Sequence, residues 1–180
     1  MPAFRMRFLW LSSLCCLCAC TSAYKGAREA VPPRNCLDQF RPRFSKVLYT
    51  TSVDVVGKHL SGILLMKQMP DSSTRIVFSN EMGFKYFDLE FAADGAFKAY
   101  YVLPQMNKKS VLTTLRKDFG LLLMQHLDWT QAFLLHKNGL LYFGFPQEKG
   151  NNYYVVDSSC QQLVRAERAS SRRTVVTATM

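Results

Sequence analysis

A chain of 180 residues, 48% hydrophobic and 20% charged, has room for one domain around one core and little room for two. Its 13% aromatic content is more than disordered chains carry, and ordinary Gly and Pro levels exclude collagen-like sequence. The formal charge of +10 sits at the ends: residues 1–46 hold eight basic and two acidic side chains and 165–180 four and one, against eleven and ten in 47–164. A nucleic-acid partner would need its basic stripe on the folded middle, so none is expected.

Arg5 and Arg7 precede an uncharged run from Phe8 to Ala19. That run is too short for a transmembrane helix and suits the apolar region of a signal peptide, expected over residues 1–19. Leu17-Cys18-Ala19-Cys20 resembles a bacterial lipobox. The resemblance implies acylation of Cys20 (palmitate among its chains) and a membrane anchor; an ordinary secretory signal cut near Cys20 is the alternative. Thr21, where inner-membrane lipoproteins carry Asp, implies the outer membrane, with the protein facing the periplasm. Residues 20–35 are then anchor and linker, and 36–180 the folded domain. Lys25, Arg28, Arg34, Arg41 and Arg43 would feel anionic headgroups at about 1 kcal/mol each, or form a solvated linker with no partner.

Thr21–Asn35 shows no apolar period and contains Pro32-Pro33. A short helical turn is expected over Cys36–Phe44, interrupted by Pro42. From Lys46 the pattern alternates, and strands are expected over Lys46–Val56, His59–Met69, Thr74–Ser79, Phe84–Ala92 and Ala96–Leu103. Gly57-Lys58, Pro70–Ser73, Asn80–Gly83 and Asp94-Gly95 punctuate them. In the fourth strand Phe87, Leu89 and Phe91 share one face, and Tyr86, Asp88 and Glu90 the other. Lys108–Leu127 reads as the one long helix, with Asn107 as its N-cap and a possible bend at Gly120. Strands return at Ala132–Lys137 and Leu140–Phe145 around Asn138-Gly139, the strongest hairpin signal in the chain. After a Pro146–Asn152 loop come Tyr153–Asp157, Gln161–Ala169 and Arg172–Thr179. The fold class is mainly β: about nine or ten antiparallel strands with an inserted helix, a sheet that must cover its apolar face. A sheet curled around a helix leaves an apolar cleft suited to lipid.

Little in the chain points to catalysis, and no enzyme activity and no cofactor are expected. His59, His126 and His136 fall on separate elements without metal-ligand spacing, so no metal is expected. His126 reads as a packed or rim histidine on the helix. No G-x-S-x-G, G-x-G-x-x-G or P-loop is present. Asp88 and Glu90 share a strand face at a spacing glycosidases use, but read better as a polar stripe. Once Cys20 is acylated, Cys36 and Cys160 remain as an even pair in an oxidising compartment. A disulfide is expected between them, with two buried free thiols as the alternative.

The run Arg75-Ile76-Val77-Phe78-Ser79-Asn80-Glu81-Met82-Gly83-Phe84-Lys85-Tyr86-Phe87-Asp88-Leu89-Glu90-Phe91 resembles the strand–turn–strand of the LolA/LolB lipoprotein-localisation family. Gly62-Ile63-Leu64-Leu65 looks like that family's early small-residue strand, and the helix carrying Leu115 to Leu123 like its inserted helix. The pattern also looks like that of uncharacterised outer-membrane lipoproteins of Bacteroidetes. The resemblance covers about residues 44–165. It implies an antiparallel half-barrel with a helical lid over a concave face that receives acyl chains.

The expected function is a membrane-anchored periplasmic lipoprotein that binds the acyl chain of a lipid or lipoprotein, in envelope lipid or lipoprotein transport. Leu64, Met66, Val77, Phe87, Leu89 and Phe91 would line the cleft, with Leu115, Phe119 and Leu122 on the lid. The alternative is a non-catalytic structural or interaction lipoprotein whose half-barrel is filled by its own side chains and which docks an envelope protein partner.

Overall fold

The computed structural model describes Tyr24 and residues 27–29, 33–55, 58–170 and 174–179. The expected signal peptide, Cys20 and Gly57 lie outside the described residues. Strand β1 (Ala27–Glu29) and helix α1 (Arg34–Asp38) precede a meander of β2 (Lys46–Val55), β3 (Lys58–Gln68), β4 (Thr74–Ser79), β5 (Lys85–Phe91) and β6 (Phe97–Val102). A 3-10 turn (Pro104–Met106) and α2 (Lys109–Leu122) lead to a second meander. Its strands are β7 (Phe133–Lys137), β8 (Leu140–Gln147), β9 (Gly150–Asp157), β10 (Leu163–Ala169) and β11 (Thr174–Thr179). The result is mainly β, as expected, in two antiparallel sheets: β2-β3-β4-β5-β6, and β1-β7-β8-β9-β10-β11. In neither do the two edge strands pair with each other, so neither is a closed barrel.

The turn chemistry explains the meanders. Asn138 and Gly139 both take positive φ (52° and 72°), the backbone a two-residue hairpin between right-twisted strands requires. Asn80 builds its turn twice over, its side-chain oxygen accepting from the Phe84 N–H at 2.7 Å and its carbonyl from the Gly83 N–H at 3.0 Å.

Four local expectations are corrected. Ala27–Glu29, inside the stretch read as linker, forms β1 and pairs with Glu29 opposite Leu134 on β7; three residues are too few to show a period. The Pro146–Asn152 loop does not exist as such: β8 and β9 run on to Gln147 and from Gly150, and Pro146 sits within the ladder opposite Asn151. The long helix begins at Lys109 with Lys108 as its N-cap, Asn107 being left to close the 3-10 turn, and ends five residues early at Leu122. It passes straight through Gly120 and stops where Met124 takes φ 51° and the Gln125 N–H donates to the Gly120 carbonyl at 2.9 Å. His126 therefore lies beyond the helix, exposed, over Gly95, where a Cβ would come within 1.8 Å of its ring.

α2 serves both sheets. Leu121 and Met124, each 1% exposed, enter a core with Leu134, Phe143, Tyr154 and Val156 of the six-stranded sheet. There the Tyr154 hydroxyl donates to the Leu121 carbonyl at 2.9 Å, and burial pushes the Tyr154 phenol far above its ordinary pKa. Phe119 enters a second core with Met66, Ile76, Phe78, Phe87, Leu89 and Phe91 of the five-stranded sheet.

The expected disulfide is present. Cys36 of α1 bonds Cys160 of the β9–β10 connection, with Cα atoms 5.4 Å apart and a sequence separation of 124. Leu37, fully buried beside it, and the Gln39 amide, donating to the Cys160 carbonyl at 2.6 Å, complete the attachment of α1 to the six-stranded sheet.

Candidate functional site

The α2-facing side of the five-stranded sheet is set by register. Val47, Tyr49, Thr51 and Val53 of β2 stand opposite Met66, Leu64, Gly62 and Leu60 of β3, and successive residues of a strand alternate between faces. Farther across the sheet Ile76, Phe78, Phe87 and Leu89 continue the same apolar face. α2 covers this face with Val111, Leu115, Phe119 and Leu122, the i, i+4, i+8, i+11 stripe of an amphipathic helix.

Cover tightens toward β5, whose Phe87, Leu89 and Phe91 are buried, and is least complete over β2 and β3. Between the helix and those two strands lies an open groove of about 390 Å³. Val53, Leu60, Leu64, Phe78 and Phe87 line its sheet wall, and Val111, Leu115, Phe119 and Leu122 its helix wall. Met106 of the 3-10 turn also lines it. Its few polar side chains are Thr51, Ser110, Thr114 and Asp118. The β2 side is exposed, Tyr49 by 53% and Val53 by 39%. Asp118 is tied to Arg168 of β10; burial pushes its carboxyl above the usual range, against the opposing pull of Arg168.

Of the nine residues expected to bind ligand, five line this groove together: Leu64, Phe87, Leu115, Phe119 and Leu122. Met66, Leu89 and Phe91 share the sheet face but are packed away in the core, at 7%, 0% and 2% exposure. Val77 is not on that face. It lies between Ile76 and Phe78, whose side chains take the core, and so projects outward with Arg75. The sequence reading missed Thr51, Val53, Leu60, Phe78, Met106 and Val111. Alternation from Lys46 puts the odd-numbered residues of β2 on one face, but only their pairing with β3 shows which face α2 covers.

The outward face is organised by Arg75. Its guanidinium donates to both Asp88 and Glu90, the latter at 3.2 Å, and lies 3.6 Å over the Tyr100 ring. Lys85 reaches Asp88 at 2.8 Å. The Asp88/Glu90 pair is thus the polar stripe, with both carboxylates turned to one cation. Beyond it the same face exposes Leu48 (58%) and Ile63 (40%). At the β4–β5 turn Met82 and Phe84 also stand out.

Among the described residues no three His, Cys, Asp or Glu side chains come together as a metal site, and no helix is long and apolar enough to cross a membrane. The chain matches no family model, no curated protein and no solved structure.

Proposed function

We propose that this chain is a lipid-anchored protein of the periplasmic face of the outer membrane, and that the groove beneath α2 receives the acyl chain of a lipid or lipoprotein. One observation carries the reading. A core-like apolar face is left partly open between α2 and strands β2 and β3, with apolar groups on both walls. A hydrocarbon chain entering it gains about 0.8 kcal/mol per buried CH₂ and needs no polar partner. Capture and release would follow from partition alone, without a covalent step. The long-range disulfide supports an oxidising compartment. The finer architecture in this proposal is a half-barrel like that of the LolA/LolB family, with α2 as its lid. In its support, a meander, an inserted helix and a second meander follow one another in the expected order.

A second reading has its own observation. Leu48 and Ile63, exposed on the outward face beside the free edge of β2, suit an interaction lipoprotein that docks an envelope partner there.

Leu115 separates the two. Phe119 is a poor choice, because its ring packs 5.8 Å from Phe87 and 6.4 Å from Phe91 within the core. Leu115 is half-buried on the groove wall. Leu115→Asp is expected to stay folded by circular dichroism and to weaken a fluorescent fatty-acid probe about tenfold or more. Unchanged probe affinity in the folded variant, with no lipid seen on the wild type by native mass spectrometry, would leave the docking reading.

A further inference from the structure

Strand β2 is the outer edge of the five-stranded sheet, bonded to β3 on one side and, among the described residues, to no strand on the other. Native edges are blunted by short length, Pro, a bulge or a charge in mid-strand, because a row of bare N–H and C=O groups recruits another strand. β2 carries none of these. It is ten residues long, its ladder with β3 runs from Lys46 to Val55 without a shift, and Val47–Val53 contains no charge and no Pro. Leu48 and Tyr49, on opposite faces, are both exposed. Backbone bonding decides which groups the edge offers. The Ser45 carbonyl accepts from the Gln68 N–H at 2.9 Å, and bonds to one neighbour fall on every second residue of an antiparallel strand. The odd-numbered residues are therefore spent on β3, and Lys46, Leu48, Thr50, Ser52 and Asp54 present their N–H and C=O at the free edge.

These five residues match a second copy of themselves. In an antiparallel pair about a two-fold axis through Thr50, Thr50 faces the partner's Thr50, Leu48 the partner's Ser52, and Lys46 the partner's Asp54. Moving the axis one residue either way leaves Lys46 or Asp54 facing a residue outside β2. Strand length and charge thus select the same register, since opposite charges directly across a pair stabilise it and like charges do not. We propose that two copies of this chain join edge to edge through β2, antiparallel about Thr50, and that each copy completes the other's groove. A two-fold axis normal to the sheet keeps both α2 helices on one face, together with the odd-numbered residues of β2. The partner's Tyr49 then stands opposite Thr51 and the partner's Val47 opposite Val53, and Thr51 and Val53 are the β2 residues that line the groove. Both extend its floor on the side left open, so that the two grooves face each other across a shared sheet. A strand of another protein would meet the same edge without this match of length and charge. The pairing stands on the edge itself; that the joined grooves hold acyl chains rests on the function proposed above.

Sedimentation equilibrium of the full chain, with Cys15, Cys16, Cys18 and Cys20 replaced by Ser, is expected to give twice the monomer mass at micromolar concentration. Thr50→Pro removes an N–H that faces outward and leaves the β3 ladder intact, so it should yield a folded monomer. Thr50→Cys in the same background should oxidise to a covalent dimer, since facing residues of a bonded pair lie about 5.5 Å apart at Cα. Ser52→Cys, which faces Leu48, should not. Lys46→Glu should weaken the dimer about tenfold, and adding Asp54→Lys should restore it; this pair keeps the test decisive if Thr50→Pro fails to fold. A monomeric parent overturns the proposal and leaves the edge to another protein. So does a dimer that survives Thr50→Pro, or one that cross-links through Ser52→Cys and not Thr50→Cys. A fluorescent fatty-acid probe tests the shared groove, and its affinity should fall about fivefold or more in the Thr50→Pro monomer. Equal affinity overturns the shared groove, whereas a dimer that binds no probe supports the pairing and removes the acyl-chain reading alone.

Discussion

The two sheets of this protein solve the same problem differently. The six-stranded sheet is buried on both faces: one beneath α1 and the end of α2, the other around Tyr24. Tyr24 stacks on Tyr153 with ring centroids 4.1 Å apart and donates to Glu167 at 2.7 Å. The five-stranded sheet has one outward face held by ion pairs and one inner face only part-covered by α2. Sequence reflects the contrast. β4 alternates buried and half-buried residues, whereas β8 and β9 carry the unbroken runs Leu141–Phe145 and Asn152–Val156. Strands covered on both sides lose alternation, and strands covered on one side keep it. One sheet is therefore a sealed scaffold, and the other has room for a guest.

The largest expected effect tests the scaffold. Replacing Cys36 and Cys160 together by Ser releases a 124-residue separation, and chain entropy puts the loss at about 5 kcal/mol in urea unfolding. Non-reducing peptide mapping should first recover the two cysteines as one linked peptide pair. A loss below about 1 kcal/mol would mean that the six-stranded sheet is sealed without its staple.

A paired substitution on α2 sharpens the contrast within one helix. Leu121, 1% exposed against the six-stranded sheet, should cost about 3 kcal/mol as Leu121→Ala. Leu115→Ala, six residues earlier on the open groove, should cost about 1 kcal/mol or less while still weakening the fatty-acid probe. Equal losses, measured by urea denaturation, would erase the distinction between sealed and open ends.

The smallest effect concerns the outward face of the five-stranded sheet. Burial opposes ionisation of Asp88, but hydrogen bonds from Arg75 and Lys85 outweigh it and hold its carboxyl below the usual range. The folded value is therefore below the unfolded one of about 3.9. Its contribution to stability is complete above that value and is lost as pH falls through the folded one. Asp88→Asn should flatten the acid limb of the stability curve below about pH 4 and leave its neutral shape unchanged. An acid limb as steep as the wild type's would remove Asp88 from the ion network's share of stability.

The parts legible in the sequence were those with local chemical causes. Alternation placed β4 at Thr74–Ser79 to the residue, because Thr74, Ile76 and Phe78 all face one core. Asn138-Gly139 announced its hairpin through the positive φ that few other residue pairs tolerate. The Cys36–Cys160 bond followed from counting thiols in an expected oxidising compartment. Other features needed the folded neighbours. Val77 is as apolar as the core residues beside it, and only Ile76 and Phe78 taking the inner face turn it outward. β1 exists because β7 offers an edge, and α2 ends where the Met124 side chain is drawn into the six-stranded core. The apolar face of the groove was written in the strands. The opening beneath α2 arises from side chains far apart in sequence, and only tertiary packing decides which of them are covered.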